Sequence, residues 1–341
     1  MTQGPGAEIR ATGVRLTRLG FGGAAIANLF APVPEHEAVR AAESALAMGI
    51  RHFDTAPYYG YGLSESRLGA ALSAMPREEL TISTKVGYAL GKDFGRETGG
   101  VFAGNLPDVG VSFDYSRRGI LRSLKGSRER LGTSRIEIAL LHDLDPTVHR
   151  DPAAYERHRD VALGEGWPAL CELREAGELA AIGFGLNHAG AAERLLDETD
   201  PDVILLAGRY TLLEHEGALP LLAACARRMV AVIIGGPFNS GILAMGSHAG
   251  AMYDYGRADA ATLQRAARLE EVCRSRGVPV AAAALQFPFG HPAVATVIPG
   301  MRSEAEVRAN VALMDQPVPA ALWDELRERG LVAPDVPTPS A

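Results

Sequence analysis

Apolar positions along this chain follow two periods in turn. Short runs rich in Val, Ile and Leu, bounded by Gly or a polar residue, alternate with longer stretches whose apolar residues recur every three or four positions. The short runs are expected as strands at 16–23, 51–54, 80–85, 136–142, 179–185, 203–207, 230–234 and 294–298. The longer stretches are expected as helices. In 35–48, Ala38, Val39, Ala42, Ala45 and Leu46 fall on one face. Others are expected at 64–74, with Ser64 as N-cap, and at 116–131, 164–176, 189–197, 217–228, 259–276, from 280, at 303–314 and at 319–329.

Eight strands alternating with helices, with no break in composition, imply a parallel sheet. Eight units over 341 residues suggest one closed (β/α)₈ barrel spanning 1–341. An open doubly wound sheet is the alternative, but Gly20, Gly22 and Gly23 lack the GxGxxG spacing that such a fold uses for a dinucleotide. Three segments break the alternation: the glycine-rich 86–112, then 143–160, then 235–258. They are expected as long irregular loops covering a substrate, and the chain ends in a proline-rich tail.

A hydrophobic share of 47% and a charged share of 22% fit a globular chain. A net charge of -7 without a basic cluster argues against a nucleic-acid partner. Cys171, Cys225 and Cys273 are widely spaced and form no CxxC, so neither a disulfide framework nor a metal site is expected, and a reducing, cytoplasmic setting is. No apolar run reaches the roughly 18 residues of a membrane span, and no signal peptide is expected.

The candidate chemistry sits where strands end. Asp54, Lys85 and His142 each close a strand whose earlier residues are largely apolar, and Tyr59 follows Asp54 by five positions. In a barrel these C-terminal strand ends converge on one rim. Taken singly, each has an ordinary reading as a turn, surface or satisfied core residue. Taken together they form a proton-transfer set. A phenol, with an ordinary pKa of about 10, works near neutrality only beside a cation. Lys85 would supply that cation, Asp54 would aim it, and His142 would add a hydrogen bond near the reacting oxygen. Without a metal-ligand cluster or an activated Ser or Cys, this set suits hydride transfer with a nicotinamide cofactor.

The motifs Asp54-Thr55-Ala56-Pro57-Tyr58-Tyr59-Gly60, Ser83-Thr84-Lys85 and Leu140-Leu141-His142-Asp143 together resemble the aldo-keto reductase family. The likeness continues through Ile182-Gly183-Phe184-Gly185-Leu186-Asn187 to Ile298-Pro299-Gly300-Met301-Arg302, nearly the whole chain in order. It implies a (β/α)₈ barrel with the tetrad Asp54, Tyr59, Lys85 and His142, and an NAD or NADP cofactor extended over the rim. The stretches around Tyr58-Tyr59-Gly60-Tyr61-Gly62, Arg209-Tyr210 and Gly235-Gly236-Pro237-Phe238-Asn239-Ser240-Gly241 resemble the branch of D-threo-aldose 1-dehydrogenases, which includes dehydrogenases of L-fucose, galactose and pyridoxal. The implied reaction oxidises the C1 hemiacetal hydroxyl of an aldose to a lactone. Pyridoxal oxidation and NADPH-dependent aldehyde or ketone reduction are the alternatives.

The resemblance also implies cofactor contacts at Gly22, Asn187, Gly235, Pro237, Phe238, Asn239, Gly241, Gly300, Arg302, Glu306 and Asn310. The family's nicotinamide-binding Gln falls on Ala207, its stacking aromatic on Gly235, and its two phosphate-gripping cations on Gly300 and Glu306. Glu306 would repel a 2'-phosphate, so NAD is expected to be preferred. Tyr58, Tyr61, Tyr88 and Arg209 are the substrate candidates, with Arg209 alternatively paired to Glu214. The expected form is a monomer or homodimer acting on a small sugar or aldehyde.

Overall fold

The computed structural model describes residues 7–10, 12–95 and 100–340. Eight parallel strands form its centre: β1 (Phe21–Gly22), β2 (His52–Asp54), β3 (Thr81–Val86), β4 (Ile138–His142), β5 (Ala181–Leu186), β6 (Val203–Ala207), β7 (Ala231–Gly235) and β8 (Val294–Ile298). Their spatial order is their order in sequence. The first and last strands meet through hydrogen bonds from Gly20 N to Val297 O (2.9 Å) and Gly22 N to Pro299 O (3.0 Å), which close the sheet into the (β/α)₈ barrel. A Cβ at Gly22 would lie 2.9 Å from the carbonyl oxygens of Ile298 and Pro299, so this seam requires glycine.

Each strand alternates between two surroundings. Ala139, Leu141, Ile182, Phe184, Ile204, Leu206, Val232 and Ile234 face the helices in the larger core. Ile138, Leu140, Val203, Leu205 and Ile233 face the barrel interior, where Ile9, Val14 and Leu16 close the lower end. Those three come from an N-terminal hairpin pairing Ala7–Glu8 with Arg15–Leu16. The expected strand at 16–23 is therefore two short elements, one in the hairpin and one in the barrel.

All three of the expected irregular segments hold regular structure. Within 86–112, Tyr88–Gly91 pairs antiparallel with Gly110–Phe113. Within 143–160, Pro152–Val161 is helical, capped by Asp151, and runs through a wide turn at Ala162–Gly166 into Trp167–Glu175. The wide turn falls where Gly166 passes a backbone: a Cβ there would lie 2.5 Å from Tyr115 O. The segment 235–258 carries a short helix, Ile242–Met245, and a hairpin of Met252–Tyr253 with Gly256–Arg257. Ser64 does not cap its helix, which spans Leu63–Leu72; its hydroxyl donates instead to Gly23 O at 2.9 Å, joining the tops of β1 and β2. No helix among the described residues is long and apolar enough to cross a membrane.

Candidate active site

Polar side chains line the barrel interior along β2 and β3. The Lys85 ammonium donates to Asp54 Oδ2 at 2.7 Å and to Thr55 O at 2.9 Å. Lys85 is 1% exposed and Asp54 2%, so each charge depends on the other. Ser83 donates to the second oxygen of Asp54 at 2.8 Å, and His52 Nε2 lies 3.0 Å from the same hydroxyl. With the Ser83 proton committed to Asp54, His52 Nε2 is the donor of that pair. Burial, with Lys85 adding to it, lowers the His52 imidazole to a pKa of about 3, so it is neutral. Burial raises the Asp54 carboxyl, while Lys85 and Ser83 pull it back. Across the barrel the lysine stem passes Gly185, where a Cβ would come within 3.3 Å of Lys85 Cδ and Cε.

Tyr59 reaches this group from the loop after β2. Gly60, Tyr61 and Gly62 all have positive φ, at 59°, 57° and 93°. A Cβ at Gly60 would lie 2.7 Å from Ala27 O, so the Tyr-Tyr-Gly-Tyr-Gly motif buys both a tight reversal and a close backbone approach. Lys85 Nζ stands 4.4 Å from the centre of the Tyr59 ring, and the His142 ring is 5.8 Å from it. Burial raises the Tyr59 phenol well above its ordinary value, and the charges of Asp54 and Asp143 add to this. The expectation that Lys85 lowers that pKa thus meets stronger opposing effects. Burial, then Lys85, drives His142 well below its ordinary value. At neutral pH the pair is a protonated phenol and a neutral imidazole, both able to hydrogen-bond one substrate oxygen.

Two cavities meet at Tyr59. One, of about 780 Å³, is lined by Tyr58, Tyr59, Lys85, Tyr88, His142, Asn187 and Arg209, together with Phe102, Asp143, Arg150 and Tyr255. Tyr61, expected among the substrate residues, is absent from its lining; it is 5% exposed and packs edge-on to Tyr58. Arg209 has fixed partners: Asn187 O at 2.8 Å, Asp254 at 2.8 Å and Glu214 at 3.4 Å. It pins the 252–257 hairpin to the end of β5. Phe102, Asp143, Arg150 and Tyr255 had no role in the sequence reading. Asp143 stood inside the quoted Leu-Leu-His-Asp motif, and that adjacency was its available signal.

The second cavity, of about 560 Å³, is a groove running from Gly22 past Gly235, Pro237, Phe238, Asn239 and Gly241 to Gly300, Arg302, Glu306 and Asn310. It therefore gathers every cofactor candidate except Asn187, which lines the first cavity. Its walls fit an extended polar ligand. Gly208, Gly236 and Gly241 have positive φ, and a Cβ at Gly241 would meet nothing within 4 Å. Asn239 is buried, donates to Gly208 O at 3.2 Å, and its Oδ1 has no partner among the described residues. Arg302 and Glu306 at the far end bind each other: Glu306 Oε1 accepts from Arg302 Nη2 at 2.8 Å, and Oε2 from the Arg302 backbone N at 2.8 Å.

Comparison with known proteins places this closed barrel among the oxidoreductases. The pattern of the aldo/keto reductase family matches residues 18–329, and the chain belongs to that family, whose members use nicotinamide cofactors. Among individual relatives, it is 38% identical over 335 residues to D-threo-aldose 1-dehydrogenase of a Pseudomonas species, covering 96% of this chain and 97% of the relative. It is 39% identical over 332 residues to pyridoxal 4-dehydrogenase of Microbacterium luteolum, covering 94% and 96%. In fold it is similar to an aldo-keto reductase of Bacillus halodurans in its holo form, with a TM-score of 0.74 and 24% identity over 97% of each chain. A glycerol dehydrogenase of Gluconobacter oxydans gives a TM-score of 0.71 at 20% identity, over 99% of this chain and 98% of that one.

Proposed function

We propose that this protein is an aldose 1-dehydrogenase that oxidises the C1 hemiacetal hydroxyl of a sugar to a lactone. The observation that carries the reading is the meeting of the two cavities at Tyr59, with His142 beside it and the Lys85–Asp54 pair behind it. A nicotinamide cofactor held along the groove from Gly22 to Asn310 would supply the hydride acceptor. Tyr59 and His142 hold the C1 oxygen, and Tyr59 in its ionised form takes the hydroxyl proton as the C1 hydride leaves. Lys85 keeps a positive charge over the Tyr59 ring while that proton moves, and Asp54 holds the lysine in place. The substrate candidates Tyr58 and Tyr88, whose rings stack on each other at 4.6 Å and 21°, give the cavity an aromatic wall suited to a sugar ring.

The same wall suits a pyridine ring. With the 39% identity to a pyridoxal 4-dehydrogenase, this makes pyridoxal oxidation the second reading. For the cofactor, the Glu306 carboxylate neutralises Arg302, the cation at the far end of the groove, which favours NAD over NADP.

Initial rates with NAD and with NADP, measured on L-fucose, D-arabinose, L-galactose, D-galactose and pyridoxal, test all of this. Sugar oxidation with NAD supports the proposal. Oxidation of pyridoxal alone moves the substrate, and NADPH-driven aldehyde reduction without any oxidation overturns the reading.

A further inference from the structure

We infer that Asp143 is the residue that reads the hydroxyl beside the reacting carbon, accepting a hydrogen bond from the 2-hydroxyl of an aldose through Oδ1. This rests on the aldose reading proposed above.

Asp143 follows His142 directly but does not continue the strand. Its φ is 54°, a left-handed conformation uncommon outside glycine, and its backbone N donates to Gly185 O at 2.9 Å. Together these turn a largely buried carboxylate into the lining of the catalytic cavity. The neighbours then fix its orientation. Tyr88 donates its hydroxyl to Oδ2 at 2.9 Å, and Asn187 Nδ2 lies 3.4 Å from Oδ1.

Oδ1 also lies 3.7 Å from His142 Nε2. A substrate oxygen held by Tyr59 and His142 sits within about 3 Å of that nitrogen. The acceptor therefore shares the corner of the cavity in which the reacting oxygen is held, within reach of a hydroxyl on the neighbouring carbon. On an aldose that hydroxyl is the one on C2. Carboxylate oxygens accept more than one hydrogen bond, so the partners Asp143 already has do not by themselves exclude a substrate donor. The stacked pair of Tyr58 and Tyr88 lines the same cavity as Asp143. The position carries a cost for catalysis, because a negative charge here opposes ionisation of Tyr59. A donating substrate hydroxyl draws on that charge and lessens its opposition.

The test compares kcat/KM for L-fucose with that for 2-deoxy-L-fucose, both with NAD. In the unaltered enzyme L-fucose is expected to be favoured by about 100-fold, because a site built to accept a hydroxyl rejects the analogue lacking it. Asp143→Asn keeps the shape and tolerates the left-handed backbone. It is expected to bring the ratio within about fivefold of one, mainly by loss of L-fucose activity. A purely structural role would lower both sugars together and leave the ratio unchanged, which overturns the assignment. A ratio below about tenfold in the unaltered enzyme overturns it as well, whether or not the variant folds. Failure to oxidise any aldose removes the reading on which the inference stands, and is recognised by the absence of turnover on L-fucose itself.

Discussion

The two walls of this barrel are made the same way and used differently. On β2 and β3 the inward residues are His52, Asp54, Thr81, Ser83 and Lys85; His52, Ser83, Asp54 and Lys85 are linked by hydrogen bonds from one side chain to the next, and Thr81 donates to Arg15 O. On β4 to β7 the inward residues of the lower barrel are Ile138, Leu140, Ala181, Val203, Leu205 and Ile233, which make only apolar contact. One wall carries charge and the other keeps water away from it. The low polarity that the second wall creates is what strengthens the Lys85–Asp54 pair and shifts Tyr59 and His142. A substitution on the first wall should therefore cost activity more than stability, and one on the second wall the reverse.

The largest effect is expected at Tyr59. Tyr59→Phe removes one hydroxyl and leaves the packing of the ring, so turnover should fall by about 10²- to 10⁴-fold with little change in melting temperature. Turnover within a few-fold of the parent would sink its role as proton carrier. The pH profile sharpens the point. Because burial raises the phenol pKa, the base form is scarce at neutral pH, and oxidation should accelerate from pH 6 to pH 9. Since His142 stays neutral over that range, no bend near pH 6.5 is expected.

Ile233 gives the opposite case. It is fully buried on the apolar wall and lines neither cavity. Ile233→Ala should lower stability by about 2–5 kcal/mol through lost burial and an unfilled cavity. Denaturant unfolding measures that loss, and kcat at a temperature where the variant is folded should stay within a few-fold. A kcat loss matching that of Tyr59→Phe would mean that the two walls are not separable.

The contrast between the walls also marks what could be read before the structure. Asp54, Lys85 and His142 were legible because each is a polar residue ending an apolar strand, and strand ends of a barrel share a rim. Strand order and closure followed from the alternation itself. The hairpin at Tyr88–Gly91 and Gly110–Phe113 was hidden because each strand is four residues long, too short for a period to stand out among the surrounding glycines. The helix Pro152–Val161 was missed because its sequence is mostly polar and charged. Asp143 was hidden for another reason: its side chain faces the cavity only because its backbone is left-handed, and in a residue other than glycine no sequence pattern announces that.

A smaller effect is expected from the neutral histidine that ends the polar wall. His52 has a pKa of about 3 in the fold, against about 6.5 in the unfolded chain. A base whose folded pKa is depressed costs stability as pH falls below its unfolded value, because the unfolded chain then binds the proton that the fold refuses. From pH 7 to pH 5 this one residue should cost about 2 kcal/mol. His52→Gln keeps a donor for Ser83 and removes the titration, so the acid loss of stability should flatten by that amount. An unchanged slope would show that His52 is not buried as a neutral base.

The smallest effect tests where the polar chemistry ends, outside both walls at the far end of the groove. Glu306 holds Arg302 with both oxygens, and both side chains are partly exposed. Half-exposed ion pairs are worth no more than about 1 kcal/mol, so releasing Arg302 by Glu306→Ala should move the kcat/KM ratio of NAD to NADP by about fivefold toward NADP. The shift should shrink in high salt, since it comes from a charge open to solvent. The chemical step is remote from this end of the groove and should keep its rate at saturating cofactor. A shift toward NAD would mean that Glu306 positions Arg302 for a phosphate instead of neutralising it, and would reverse the proposed cofactor preference while leaving the roles of Asp54, Tyr59, Lys85 and His142 untouched.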